Sequence, residues 1–143
     1  MSFPSEGLTR ADDLAELLRR VRVIAVVGAS ADPWRPSFGV SAYLQRVGYR
    51  VLPVNPTLLG TSLHGEPFKA SLQDVGEPVD LVNVFRRPEF VPDVVEDAIA
   101  VSAPAIWLQL GIRHATAAAR AESEGLTVVM DRCISVEHRR LLG

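Results

Sequence analysis

Short apolar runs alternate along this chain with stretches where apolar residues recur every three or four positions. Residues 9–21 follow the helical spacing: Leu14, Leu17, Leu18 and Val21 share one face, the period of an amphipathic helix. Thr9 and Asp12 have the form of a capping box at its start. "VRVIAVVGA" (21–29) is β-branched, apolar and closed by glycine, as expected of a strand buried on both faces. "SFGVSAYLQRVG" (37–48) returns to helical spacing through Val40, Tyr43, Leu44 and Val47, with Gly48 as its stop. "YRVLPVNP" (49–56) reads as a second strand whose prolines suit an exit or a bulge. Residues 57–76 break the alternation, with turn signals at Gly60, Gly65 and Pro67 and one helical turn at "SLQDV".

Beyond that stretch the alternation resumes. "VDLVNVF" (79–85) predicts a third strand, and residues 88–103 a helix striped by Val91, Val94, Val95, Ala98 and Ile99, with Pro88 in its first turn. "AIWLQLG" (105–111) predicts a fourth strand, and residues 115–125 a helix closed by Gly125. "LTVVMD" (126–131) predicts a fifth strand, and "SVEHRRLLG" a final helix. Strands alternating with helices imply an α/β fold: one Rossmann-like, doubly wound parallel sheet of about five strands with helices on both faces, spanning residues 1–143, with 1–20 as a helical extension. The expected strand order is 3-2-1-4-5, and a ligand crevice is expected outside the carboxyl ends of the strands where that order reverses. This topology directs attention to Gly28–Gly39, Asn55–Pro56, Phe85–Arg87, Gln109–Arg113 and Asp131–Cys133.

Composition narrows the classes. Apolar residues make up 48% of the chain and charged residues 22%, with a net charge of −2. That is the profile of a globular domain, and it argues against general binding to nucleic acid or membrane surfaces, which needs a basic face. Cys133 is the only cysteine, so no internal disulfide forms, and a cytoplasmic location fits. Glu6, Asp12 and Asp13 near the start, without a long apolar run, argue against a signal peptide or a membrane span. No metal-ligand spacing is present.

The strand-to-helix turn "VVGASADPWRPSFGV" (27–41) occupies the place of a dinucleotide-binding turn, yet the three glycine positions of that fingerprint hold Gly28, Ser30 and Pro33. No carboxylate follows in "RVLPVNP", where an acid would hold the ribose hydroxyls of NAD. From Pro33 to Gly65 there is no Asp or Glu, while Arg35, Arg46 and Arg50 fall within that span. The helix start contributes free N–H groups and partial positive charge. Ser30 and Ser37 can donate hydroxyl hydrogen bonds, and Arg35 can pair with a phosphate in bidentate fashion. An anion is expected between Ser30 and Ser37; the competing reading is an ordinary loop stiffened by prolines.

The blocks "IAVVGAS", "RPSFGV", "GYRVLPVNP", "GTSLHGE", "VDLVNVFRRPE", "WLQLGI" and "VVMDRC" run in order from residue 24 to 133. In them the chain resembles the small single-domain CoA-binding proteins, which are similar to the CoA-binding domain of the succinyl-CoA synthetase α subunit. The resemblance implies coenzyme A or an acyl-CoA as ligand. It puts the diphosphate at Gly28, Ala29 and Ser30 with Arg35 nearby, and the nucleotide end at Asn55 and Pro56. Phe85, Arg86, Gln109 and Gly111 would line the ligand's path. No catalytic residue carries over. The synthetases transfer phosphate through a histidine of a second domain, and His64, His114 and His138 do not map onto it. Binding without catalysis is therefore the expectation, alone or with a protein partner or further copies of the chain. The alternatives are an NAD(P)-dependent oxidoreductase or a subunit of an acyl-CoA-using enzyme. CoA suits the residues better, since an acid after the second strand would repel its 3′-phosphate and Asn55 does not. Phe85, Leu108, Leu110 and Ile112 are expected to form an apolar trough for the pantetheine arm.

Other chemistry-bearing residues have simpler explanations. Cys133 could form a mixed disulfide with CoA, but the plainer expectation is a buried cysteine acting as a small hydrophobe. Asp131, Arg132, Glu137 and His138 read as a strand end and a solvated terminal helix, and His64 and His114 as loop and cap residues. Glu89, Asp93, Glu96 and Asp97 read as the wet face of their helix. Of Arg86 and Arg87, Arg86 is the preferred ligand contact. Trp107 reads as core, while Trp34 either covers the ligand or packs on the first helix.

Overall fold

The computed structural model describes residues 5–143. Helix α1 (Ala11–Arg20) is followed by β1 (Val23–Val27), α2 (Pro36–Arg46) and β2 (Arg50–Val54). A short hairpin of β3 (Ser62–Leu63) and β4 (Glu66–Pro67) precedes β5 (Leu81–Val84), α3 (Val91–Ala100), β6 (Ala105–Leu108), α4 (Ala115–Ser123), β7 (Thr127–Val129) and α5 (Ile134–Leu141). Five strands form one parallel sheet in the order β2-β1-β5-β6-β7. Helices α1, α2 and α5 pack on one face around Ile24, Val26 and Trp107. Helices α3 and α4 pack on the other around Val82, Val84 and Ile106. Burial on both faces explains why these strands are mostly apolar rather than alternating, with Arg50 and Thr127 at strand starts and Asn83 buried inside β5.

Counted in order of appearance, the five long strands lie 2-1-3-4-5, not 3-2-1-4-5. The reason lies in residues 57–76. Lys69 forms a bridge beside Val54, its N–H donating to the Pro53 carbonyl (3.0 Å) while its own carbonyl accepts from Asn55 N–H (2.9 Å). This short segment occupies the outer edge of β2. The chain then returns past β2 to place β5 on the free edge of β1. Asp80 anchors the return, its Oδ2 accepting the N–H groups of Arg22 (3.0 Å) and Val23 (2.9 Å). The order therefore reverses between β1 and β5, which makes that boundary the ligand-binding switch point of such a sheet.

Two local expectations fail. Residue Arg10, not Thr9, precedes the first turn of α1, and no side chain caps it. In α2 the buried residues are Ser37, Ser41, Tyr43 and Leu44, with Val40 packed beside them, whereas Val47 is 38% exposed and leaves the expected stripe. The β3–β4 hairpin turns on His64 and Gly65, at φ +48° and +88°. Both values belong to a two-residue type I′ turn.

Candidate functional site

The crevice forms where β1 and β5 end side by side. Gly28 directly follows β1 at φ +81°, and a Cβ there would stand 2.7 Å from the Phe85 carbonyl oxygen. Only glycine lets the two loops approach this closely. Its N–H donates to the Val54 carbonyl (3.0 Å), and the Ala29 carbonyl accepts from Asn55 Nδ2 (2.9 Å), so the loops after β1 and β2 are tied together. The Asn55 Oδ1 also accepts from the N–H and hydroxyl of Thr57.

The turn then folds over the start of α2. Ser30 N–H donates to Ser37 Oγ (3.0 Å), and Ser30 Oγ accepts from Asp32 N–H (3.0 Å). Arg35 precedes the first turn of α2, and no side chain caps that turn. Pro36 has no N–H and the Phe38 N–H donates to the Arg35 carbonyl (3.1 Å), so the uncapped first turn leaves the Ser37 N–H as its donor for an anion. Arg35 is exposed and makes no ion pair among the described residues.

A crevice of about 590 Å³ runs from this turn across the carboxyl ends of β5 and β6. Gly28, Ser30, Arg35, Ser37 and Asn55 line one part. Phe85, Gln109, Leu110, Ile112 and Cys133 line the rest, with Pro36 and Val40 from α2. Arg35 is the sole charged residue of this lining. Among the described residues this lining holds no carboxylate, whereas Asp93 and Asp97 line the adjoining cleft.

The remaining expected residues fall around this crevice rather than in its lining. Ala29 is fully buried beneath the turn. Pro56 and Arg86 line an adjoining cleft of about 370 Å³, which shares Gly28 and Asn55 with the crevice. The Arg86 guanidinium lies over the Phe90 ring at 4.2 Å. Gly111 is held at φ +85° with its N–H donating to Asp131 Oδ1 (2.7 Å), which shapes the loop that presents Leu110 and Ile112. Leu108 points away into the α3/α4 core and takes no part in the trough.

Three further expectations need correction. The acid-free stretch is not acid-free in space: Arg50 pairs with Glu77 (2.6 Å) and Glu66 (3.2 Å), which raises its pKa further, and Arg46 lies over Tyr43. Of the three arginines only Arg35 reaches the crevice. The last helix is not simply solvated. Glu137 and His138 are buried, Glu137 between Arg132 and Arg140, and His138 Nδ1 lies 2.7 Å from the Tyr43 hydroxyl. Burial pushes the His138 imidazole below its ordinary value. Cys133 is half-buried rather than sealed, and it faces the crevice. Its position after the last strand is the signal that directed attention to Asp131–Cys133.

The histidines at 64 and 114 are structural: His64 Nε2 meets the Phe38 carbonyl (2.9 Å), and His114 Nδ1 caps α4 by accepting from Ala117 N–H (3.0 Å). Trp107 is fully buried, whereas Trp34 is 92% exposed and does not pack on α1. Glu96 is paired with Arg120 (3.0 Å), which holds its carboxyl below the usual range, so part of the α3 wet face is a link to α4. Arg87 stands in solvent near Glu89 at 3.8 Å.

A parallel sheet with an uncapped helix start and one free guanidinium at its switch point defines an α/β domain with a candidate anion site. Residues 22–139 match the CoA binding domain family, to which this chain belongs. It is 41% identical over 126 residues to the Bacillus subtilis (strain 168) protein YneT, itself uncharacterized, covering 88% of this chain and 92% of that protein. Among solved structures, the Thermus thermophilus protein cell-free ID.343 is 44% identical, with a TM-score of 0.89 over 94% of this chain and 100% of that one. A hypothetical protein from Pyrococcus horikoshii OT3 is 36% identical, with a TM-score of 0.90 over 100% of this chain and 99% of that one. Among the described residues no helix is long and apolar enough to cross a membrane.

Proposed function

We propose that this chain binds coenzyme A, or an acyl-CoA, in the crevice between β1 and β5, and that it acts as a binding module without chemistry of its own on the acyl group. The observation that carries this reading is the crevice's charge pattern. Its one formal charge is the unpaired Arg35 guanidinium, set at the uncapped start of α2 beside the Ser30 and Ser37 hydroxyls. A diphosphate there receives the Ser37 backbone N–H, a helix dipole and a bidentate cation.

The adjoining parts fit the other portions of the molecule. Phe85, Leu110 and Ile112 offer apolar surface to the pantetheine arm, and Gln109 offers it an amide. Past Asn55 the second cleft, with Pro56, Thr57 and Arg86, accepts the nucleoside end. Asn55 follows β2 where a dinucleotide-binding domain has its acid, so a 3′-phosphate meets no like charge at that position, and Arg86 offers it a cation in a cleft whose lining also holds Asp93 and Asp97. The membership in a CoA binding domain family supports the same ligand.

Thermal unfolding with added ligand tests the proposal. Stabilisation follows RT ln(1 + [L]/Kd). Coenzyme A is expected to raise Tm most, dephospho-CoA less and NAD least. Equal shifts for all three would show that the ribose end has been misassigned, and no shift with CoA would remove the ligand altogether.

A further inference from the structure

We propose that Cys133 makes the far end of the crevice a thiol-exchange site, where a CoA-type disulfide is captured as a mixed disulfide with the protein. This rests on the binding reading above and adds a covalent step to it. Cys133 lines the crevice and also a second cavity of about 530 Å³, with Leu110 as the other shared wall. The residue thus borders both cavities, and Ser135 Oγ lies 3.2 Å from Sγ as a hydroxyl able to donate to it.

A second observation, independent of the sulfur, points to what lies between Arg35 and Cys133. Gln109 lines the crevice although it is only 3% exposed. Its Nε2 donates to Asn83 Oδ1, and its Oε1 takes no hydrogen bond among the described residues. Asn83 is fully buried, and its Nδ2 has no partner. The Gln109 Oε1, without a partner among the described residues at the crevice wall, is open to an N–H donor, and a ligand carrying amides of its own would supply one. Pantetheine carries two.

Length agrees. Strands β1, β5, β6 and β7 are successive neighbours, so the carboxyl ends of β1 and β7 lie about 14 Å apart at ~4.8 Å per strand. From phosphorus to sulfur the pantetheine arm has about thirteen bonds and reaches roughly 16 Å when extended, taking bond lengths of ~1.3–1.5 Å. With its phosphate at the α2 start, its sulfur arrives at the level of Cys133.

The exchange balances without an external oxidant. The Cys133 thiol gives its proton to solvent, and the thiolate attacks one sulfur of a symmetrical CoA disulfide. The Cys133–sulfur bond forms as the old sulfur–sulfur bond breaks, and the departing CoA thiolate takes a proton. The second cavity beyond Leu110 gives the leaving half room.

The test uses the full chain, reduced and desalted, with CoA disulfide or glutathione disulfide at equal concentration, read by intact mass. Thermal shifts with CoA are recorded in parallel. The expected result is one CoA moiety per chain, forming roughly tenfold or more faster than the glutathione adduct, as pre-binding raises effective concentration. The rate saturates in CoA disulfide, acetyl-CoA slows it, and the Cys133→Ser chain acquires no adduct. If CoA stabilises the protein yet both disulfides react at the same unsaturating rate, or neither reacts, the exchange site is overturned while the binding reading stands. If CoA produces no stabilisation, both fall.

Discussion

Replacing Gly28 with alanine tests the geometry that opens the crevice. The new Cβ would lie 2.7 Å from the Phe85 carbonyl oxygen and 2.9 Å from Arg86 Cγ, at a backbone φ of +81°. Two costs add. An L-residue in this left-handed region is strained by ~1–2 kcal/mol. The contact with a carbonyl oxygen cannot be relieved by turning a side chain, because the Phe85 N–H is held by the Val27 carbonyl at 2.9 Å. Parting the two loops costs a further ~1–2 kcal/mol, the scale of an overpacked site. The total of about 2–4 kcal/mol corresponds to a fall in Tm of roughly 7–14 °C for a domain of this size. The matched control is Gly39→Ala. Gly39 is exposed in α2 and a Cβ there meets nothing within 4 Å, so helix propensity predicts a gain of ~0.5–1 kcal/mol. Scanning calorimetry of both variants decides the matter. A Gly28→Ala protein melting within about 2 °C of the parent would refute the claim that the β1 and β5 loops touch here.

Substitution of Arg35 by alanine should weaken CoA binding by about 1.5–3 kcal/mol, the scale of a charged hydrogen bond. Arg50→Ala should leave that affinity unchanged, because Arg50 is held by Glu66 and Glu77 at the opposite end of β2; calorimetric titration distinguishes the two, and equal losses would mean that the net field rather than Arg35 binds the anion. A pH effect follows from His138, whose pKa is lowered from 6.5 by burial. Above its unfolded value the group adds nothing to the pH slope; below about 6.5 the unfolded chain takes up a proton that the folded chain resists, so stability falls as pH drops. His138→Gln should therefore lose less stability than the parent between about pH 7.5 and 5.5 in urea titrations, and identical losses would show that the imidazole protonates freely in place.

Much of this architecture was legible because buried parallel strands announce themselves. Val23–Val27, Leu81–Val84 and Ala105–Leu108 are almost wholly buried, so their runs are apolar except at the buried Asn83. What was not legible was their order. That depended on Lys69 occupying the outer edge of β2, a backbone pairing with no side-chain signature. Gly65 did carry a turn signal, but strands of two residues are too short to show a period. The Thr9–Asp12 capping box failed for a related reason: Leu8 N–H donates to the Val128 carbonyl (2.7 Å), and helix α1 starts only after Arg10.

The site repeats the contrast between local and spatial information. Ser30, Arg35 and Ser37 could be assigned from one continuous turn, because a helix start and its preceding loop are local. The supposed positive surface could not, because Glu66 and Glu77 come back in space to Arg50 from later in the chain. The shift of the switch point matters most. In the order 3-2-1-4-5, Gly28 would have faced the strand that carries Gln109. In the observed order Phe85 stands beside Gly28, and Gln109 and Cys133 follow one and two strands further on. The crevice thereby becomes a track with a cation at one end, an amide midway and a thiol at the other. That sequence of groups is complementary to a phosphate, an amide-bearing arm and a sulfur taken in the same order. A dinucleotide presents a second nucleoside where the thiol would lie, and nothing in the Phe85–Gln109–Cys133 half of the lining is charged to hold its ribose or its base.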